Sequence, residues 1–264
     1  MTSKRKLLRV MSFNIRLDTP DDGEHRWEYR NEKVINEIIF NQPDIFGLQE
    51  VLKHQLDYLV EKLGCFYGYI GVGRDDGKDK GEFVPIFFEK KRFKLIKSGV
   101  FWLSQTPQVV GSIGWDARFP RIATWGEFMD LQTNKTLFFF NTHFDHEGRI
   151  AQEKSAELLF EEVFEIAANN PVVVTGDFNV EEQSNAYKII TNFLFDARYV
   201  SKYGHYGPSI TYNAYGKSEY QVKIDYIFVN KHFEVLSHGT VNSSWDSKYS
   251  SDHFPLISTL IFKD

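Results

Sequence analysis

The sequence predicts an α/β protein built from two packed, mainly antiparallel sheets flanked by helices. Three observations lead there. Apolar runs of strand length cluster between residues 67 and 144, where hairpins are the simplest connection. Helical patterns do not follow every strand, so the alternation of a doubly wound parallel sheet is missing. No glycine-rich turn follows the first apolar run, which argues against a dinucleotide-binding unit.

Taken in order, Leu7 to Ile15 reads as a buried strand with Asn14 near its end. Trp27 to Phe40 carries Val34, Ile35, Ile38 and Ile39 at helical spacing, and Pro43-Asp44 stops it. Ile45-Phe46-Gly47-Leu48 is a short buried strand delivering Gln49 and Glu50. Leu52 to Leu63 is a second helix, stopped by Gly64. Strands are expected over Tyr67 to Val72, Phe83 to Phe88, Phe93 to Leu103, Ala123 to Leu131 and Thr136 to Phe144, with a turn at Asn134-Lys135. Arg149 to Ala168 has the longest helical period, through Ala156, Leu159, Phe160, Val163, Phe164 and Ala167. Pro171 to Thr175, Val222 to Val229 and Phe254 to Ile261 complete the strands. No repeat or low-complexity linker divides the chain, so residues 1–264 read as a single domain.

Composition narrows the function. The 264 residues suffice for a sizeable core, and most of the 24 Phe should lie in it. A net charge of −5 argues against a module that coats polyanions, and favours a small or single-stranded substrate over duplex DNA. The single cysteine, Cys65, excludes an intramolecular disulfide and fits a cytoplasmic location; it is expected to be a small core residue. The basic start, Met1 to Lys6, is broken by Arg9 before a signal-peptide core can form, and no apolar stretch would span a bilayer. No obligate protein partner is evident.

The chemistry lies in polar residues that end or interrupt the apolar runs: Asn14, Glu50, His143, Asp177, Asn179, Asp225, Asp252 and His253. A charge among apolar neighbours is costly unless paired or metal-bound. A fold that gathers these strand ends would make a pocket rich in oxygen donors with a few imidazoles. Such a pocket suits a hard divalent cation and hydrolysis of a phosphate ester. His143-Phe144-Asp145-His146 raises a zinc alternative, but the excess of carboxylate and amide groups suits magnesium better. Asp75 to Lys80 resembles a calcium loop without its closing Glu and reads as a solvated turn. Arg118 and Arg121 flank Phe119-Pro120 and are the best candidates for gripping substrate phosphate. Arg16, Trp27, Arg30, Trp102, Trp115, Trp125 and Arg149, in loops near the motif ends, are read as substrate contacts, with core packing the alternative for Trp102 and Trp125 and surface ion pairs the alternative for Arg30 and Arg149.

Ser12-Phe13-Asn14, Leu48-Gln49-Glu50-Val51, Asn141-Thr142-His143, Gly176-Asp177-Phe178-Asn179, Ile224-Asp225-Tyr226 and Ser251-Asp252-His253 resemble, in this order, the motifs of the endonuclease/exonuclease/phosphatase superfamily. This is the deoxyribonuclease I-like fold. The resemblance implies a four-layered α/β-sandwich and a phosphoesterase dependent on Mg²⁺ or Mn²⁺. It implies Asn14, Glu50 and Asp252 at the metal; Asp177 and Asn179 on the attacking water; and His253, held by Asp225, with His143 on the phosphate. The segment Phe101 to Pro107 looks like that of a bacterial group near the carbon catabolite repressor deadenylases. The expected reaction is hydrolysis of a phosphodiester in a nucleotide, nucleic acid or related small molecule. The alternatives are a monoesterase or phospholipase on inositol phosphates, sugar phosphates or lipid head groups, and a non-catalytic binding module.

Overall fold

The structure, a computed structural model, describes residues 7–263. Strands β1 (Leu8–Asn14), β2 (Ile45–Gln49), β3 (Tyr67–Ile70) and β4 (Ile86–Glu89) come first, with helices α1 (Trp27–Asn41) and α2 (Lys53–Leu63) among them. Strands β5 (Phe93–Trp102), β6 (Ile122–Asp130) and β7 (Lys135–His143) precede α3 (Arg149–Ala167) and β8 (Val172–Asp177). Then follow α4 (Asn185–Thr191), β9 (Phe195–Asp196), β10 (His205–Tyr206), β11 (Asp225–Val229), β12 (Phe233–Thr240) and β13 (Leu256–Phe262). One sheet runs β10-β12-β13-β1-β2-β4-β3 and the other β5-β6-β7-β8-β11-β9. Pairs β1·β2, β7·β8 and β10·β12 are parallel and the other pairs are antiparallel. The expected sandwich is therefore present, with mixed sheets.

Period-two alternation sorts the side chains into layers. Leu8, Val10, Leu137, Phe139, Val173, Ile227 and Leu260 meet between the sheets. Met11, Phe13, Phe46 and Leu48 point the other way, onto Val34 and Ile38 of α1 and Leu56 and Leu59 of α2. Phe138, Phe140, Val172, Val174 and Phe228 face Ala156, Leu159 and Val163 of α3 and Ile190 of α4. Each fully buried Phe contributes roughly 1.5–3 kcal/mol over leaving it exposed. Leu137 and Phe139 are followed, at the same spacing, by Asn141 and His143; Val173 by Thr175 and Asp177; Val10 by Ser12 and Asn14. The gap between the sheets is thus apolar over most of its length and polar at one mouth.

Below that mouth Asn141 ties the sheets together. Its Nδ2 donates to the carbonyls of Leu48 (2.7 Å) and Pro85 (3.1 Å), and its Oδ1 accepts from Gln49 Nε2 at 2.7 Å and Thr175 Oγ1 at 3.0 Å. Gly47 makes room for it, because a Cβ there would lie 2.2 Å from Asn141 Oδ1.

Several expectations need correction. The strand expected from Phe83 starts only at Ile86, because Pro85 cannot donate to a ladder; Phe83 instead bridges Val51 and Gly73. Helix α4 spans 7 residues, too few to show a period, and β12 alternates only until a bulge between Val235 and Ser237. Cys65 is exposed, since it follows Gly64 in the turn that leaves α2. Arg30 is neither a surface ion pair nor a phosphate grip. It is 2% exposed and donates to the carbonyls of Ile15, Arg16, Leu17, His25 and Ser250. Trp102 and Trp125 are buried, as the core reading expects, Trp27 is buried as well, and Arg149 is exposed. The basic start, Met1 to Lys6, lies outside the described residues.

Candidate active site

The polar mouth collects Asn14 from the end of β1, Glu50 just after β2, His143 from β7, Asp177 from β8, Asp225 from β11, and Asp252-His253 just before β13. All of them are buried. Asn14 Nδ2 donates to Glu50 Oε1 (3.0 Å) and to Asp177 Oδ2 (2.9 Å), joining carboxylates from the two sheets. The amide oxygen of Asn14 accepts the Arg16 backbone N–H at 2.9 Å. Glu50 Oε2 accepts the Leu17 N–H at 3.0 Å and lies 3.8 Å from Arg16 Nη1. Asp252 Oδ2 is 3.8 Å from Arg16 Nε, so the Arg16 guanidinium borders both carboxylates. Three turning points carry left-handed backbone: Arg16 (φ 57°), Glu50 (φ 61°) and Asn179 (φ 51°). Each costs about 1–2 kcal/mol for a residue with a Cβ. Strain of this kind is tolerated where the surrounding hydrogen bonds hold it.

The two imidazoles are in opposite states. His253 Nδ1 lies 2.8 Å from Asp225 Oδ2, and its Nε2 is 3.8 Å from Asp177 Oδ2. Burial opposes its charge, but Asp225 and then Asp177 outweigh burial and push it up to about 10. Tyr212 lies edge-on against its ring, with centroids 5.2 Å apart. His143 Nε2 accepts from Asn179 Nδ2 at 3.0 Å, so the ring proton sits on Nδ1, which is 3.5 Å from Glu82 Oε2. Burial, reinforced by Arg121, holds His143 well below the ordinary histidine value, so it is neutral. Asp177 Oδ2 is 3.6 Å from His143 Nε2 and therefore touches both imidazoles. Burial and the neighbouring Asp225 push Asp177 up to about 7.

Glu82, Arg74, Arg121 and Asp145 line the His143 side. Arg74 Nη1 pairs with Glu82 Oε2 at 2.8 Å, and Arg121 Nη1 lies 3.9 Å from the same oxygen. Arg121 Nε donates to Asp145 Oδ2 at 3.4 Å, and its Nη2 is 2.9 Å from His146 Nδ1. Arg121 is thus buried beside His143, whereas Arg118 is exposed and paired with Glu147. The structure does not bring these two arginines to one position. His143 and His146 also part company, since the first faces the gap between the sheets and the second is exposed.

Arg74 and Glu82 were not picked out as functional from sequence, and Arg16 was read there as a substrate contact rather than a neighbour of the metal-site carboxylates. They sit in loops, where no period marks an inward face. The only signal for Arg16 was its place two residues after Asn14.

The Endonuclease/Exonuclease/phosphatase family matches over residues 11–253, nearly the full length, and spans every one of these strand ends. The chain belongs to this family. Its members hydrolyse phosphate esters, which fixes the coarse activity. A solved endonuclease/exonuclease/phosphatase from Bacteroides vulgatus is 39% identical, with a TM-score of 0.94 over 98% of this chain and 100% of that one. A mannosyl-6-phosphatase from Bacteroides thetaiotaomicron is 37% identical, with a TM-score of 0.89 over 97% and 100% of the two chains. The human Nocturnin catalytic domain, solved with bound sulfate, shares the fold at 24% identity and a TM-score of 0.78, covering 98% and 97%. The chain spans between 38% and 68% of the length of the curated relatives it matches. Among the described residues no helix is long and apolar enough to cross a membrane.

Proposed function

We propose that this protein is a divalent-metal-dependent phosphoesterase that drives direct attack of water on phosphorus. One observation carries the reading: three buried carboxylates, Glu50, Asp177 and Asp252, converge beside one neutral and one protonated imidazole. Burial, together with the neighbouring Glu50, raises Asp252, and Asp177 is raised too. A surplus of buried negative charge with hard oxygen donors fits Mg²⁺ or Mn²⁺. Glu50 and Asp252 are the residues that would hold the cation. Asn14 would serve it by fixing Glu50, because its amide NH₂ faces the carboxylates. Bound there, the cation would polarise a phosphoryl oxygen and offset charge developing in the transition state.

The remaining steps belong to side chains. Asp177, raised to about 7, takes the proton of the attacking water near neutral pH. Asn179, which donates its backbone N–H to Asp177 Oδ1 at 2.9 Å, keeps that carboxylate aimed. His253 carries a proton that Asp225 stabilises and donates it toward the phosphoryl or departing oxygen. The water oxygen joins phosphorus, the ester P–O bond breaks, and the alcohol leaves. Neutral His143 accepts from Asn179 Nδ2 and so holds that amide at the edge of the phosphate site.

For the ester we favour a monoester on a small sugar-like alcohol. The mannosyl-6-phosphatase similarity extends over nearly the whole chain at 37% identity, and the net charge of −5 does not favour binding of a long polyanion. The second reading is a phosphodiester in a nucleotide or single-stranded nucleic acid, favoured by the match at 24% identity to a probable RNA exonuclease of Schizosaccharomyces pombe. Turnover with Mg²⁺ or Mn²⁺ should be measured on hexose 6-phosphates, inositol phosphates, a model diester, oligoadenylate, and single- and double-stranded DNA, beside Glu50→Gln and His253→Ala. We expect cation-dependent turnover of a monoester, lost in both variants. Faster cleavage of a diester would select the second reading. Activity indifferent to both substitutions would sink the site.

A further inference from the structure

We propose that Arg16 is a built-in counter-cation of the Glu50–Asp252 pair, and that it sets how tightly this protein holds its divalent cation. The inference rests on the metal-dependent reading above and extends it to a residue outside the expected ligand set. The placement is specific. Arg16 Nη1 lies 3.8 Å from Glu50 Oε2 and Arg16 Nε lies 3.8 Å from Asp252 Oδ2. The same Nε donates to Asp22 Oδ2 at 3.0 Å and Nη2 donates to Asp22 Oδ1 at 2.9 Å, so Asp22 clamps the guanidinium in place.

The backbone is fixed as firmly. Arg16 has left-handed φ of 57°, its N–H donates to Asn14 Oδ1 at 2.9 Å, and its carbonyl accepts Gln55 Nε2 at 2.9 Å and Arg30 Nη2 at 2.6 Å. Arg30 is buried and Gln55 is fully so. A strained residue held at three points, with its side chain clamped by Asp22, is not a solvent-facing arginine that drifted inward. The guanidinium cannot be deprotonated, so its charge is constant. A fixed positive charge beside two carboxylates shields them from each other and repels a divalent cation that seeks the same oxygens. Arg16 therefore keeps the pocket foldable and holds cation affinity down.

Binding of Mn²⁺ and Mg²⁺ to the full chain by isothermal titration calorimetry at fixed ionic strength tests this without any substrate. Arg16→Met and Arg16→Gln remove the charge, and Arg16→Lys keeps it. We expect both neutral variants to bind Mn²⁺ more tightly, on the order of tenfold, and Arg16→Lys to stay within about threefold of wild type. In chelator, the neutral variants should melt below wild type, and added cation should raise their midpoint by more than it raises that of wild type. Unchanged or weaker cation binding in the neutral variants overturns the proposal. So does an equal gain in the lysine variant, because charge would then not be the cause. Wild type that binds no cation at all defeats the metal-dependent reading itself, which separates that failure from this one.

Discussion

The two histidines of the site show how one pocket gives the same side chain opposite jobs. His253 has a buried carboxylate at 2.8 Å and is pushed up to about 10. His143 also has a carboxylate near its Nδ1, Glu82 at 3.5 Å, yet it is held well below the ordinary value. The difference lies in what surrounds each carboxylate. Asp225 sits among strands, with its backbone N–H donating to Thr211 Oγ1, and its charge acts on His253 and on Asp177. Glu82 is shared with Arg74 and Arg121, so burial of His143, joined by repulsion from Arg121 and Arg74, goes unopposed on that side. A His–carboxylate pair is therefore not a unit with fixed behaviour. Nearby arginines decide whether it holds a cation or a neutral ring.

The largest expected effect breaks the His253 side. Asp225→Asn should lower kcat by roughly 10²–10⁴, the range for a lost proton donor. The alkaline limb of the pH–rate profile should fall from about 10 toward the ordinary histidine range. The stability sign follows from the raised folded value. The His253–Asp225 pair stabilises fully below about 6.5 and loses that contribution as pH rises through about 10. Melting midpoints of wild type should decline across that window, and those of Asp225→Asn should not.

Asp177→Asn tests the group both rings share. Turnover should be abolished, while stability moves the other way. The Asp177 carboxyl rises from 3.8 to about 7, so folding opposes its ionisation, and wild type loses stability as pH climbs between those values. In chelator at pH 8 the variant should melt above wild type, by roughly 2–4 °C for each kcal/mol recovered. At pH 4 the two should coincide. A variant that melts lower at pH 8 would show that the Asn14 contact to Asp177 outweighs the cost of its burial.

Glu82→Gln sharpens the His143 side with a smaller effect, about tenfold in kcat/KM. Because His143 is neutral in either case, the shape of the pH profile should stay the same. A new limb near pH 6 would mean that His143 had been charged. Cys65→Ser marks the floor: exposed in the turn after α2, it should shift stability by no more than about 0.5 kcal/mol.

Much of this site was legible because strands have period two. Once Val10, Phe139 and Val173 are assigned inward, Asn14, His143 and Asp177 must share their face, and they do. Arg30 was misread because it lies on a helix whose polar face ordinarily meets solvent. Only the neighbouring chain at Ile15 and Ser250 turns it into a buried clamp. Arg118 and Arg121 were singled out together as phosphate grips because they flank Phe119-Pro120, a rule that does not tell them apart, and the two ended in different surroundings.

What the sequence determined by itself is the layered fold, the order of the strand ends and the donor types gathered at one mouth. Those follow from local periodicity and from the cost of burying charge, which act along the chain. The tertiary structure alone decided which carboxylate meets which cation: Glu82 with Arg74, Arg16 between Glu50 and Asp252, and Asp225 with His253. These partners are as many as 236 residues apart. Electrostatic coupling depends on distance through space and on burial, and neither is written in sequence order.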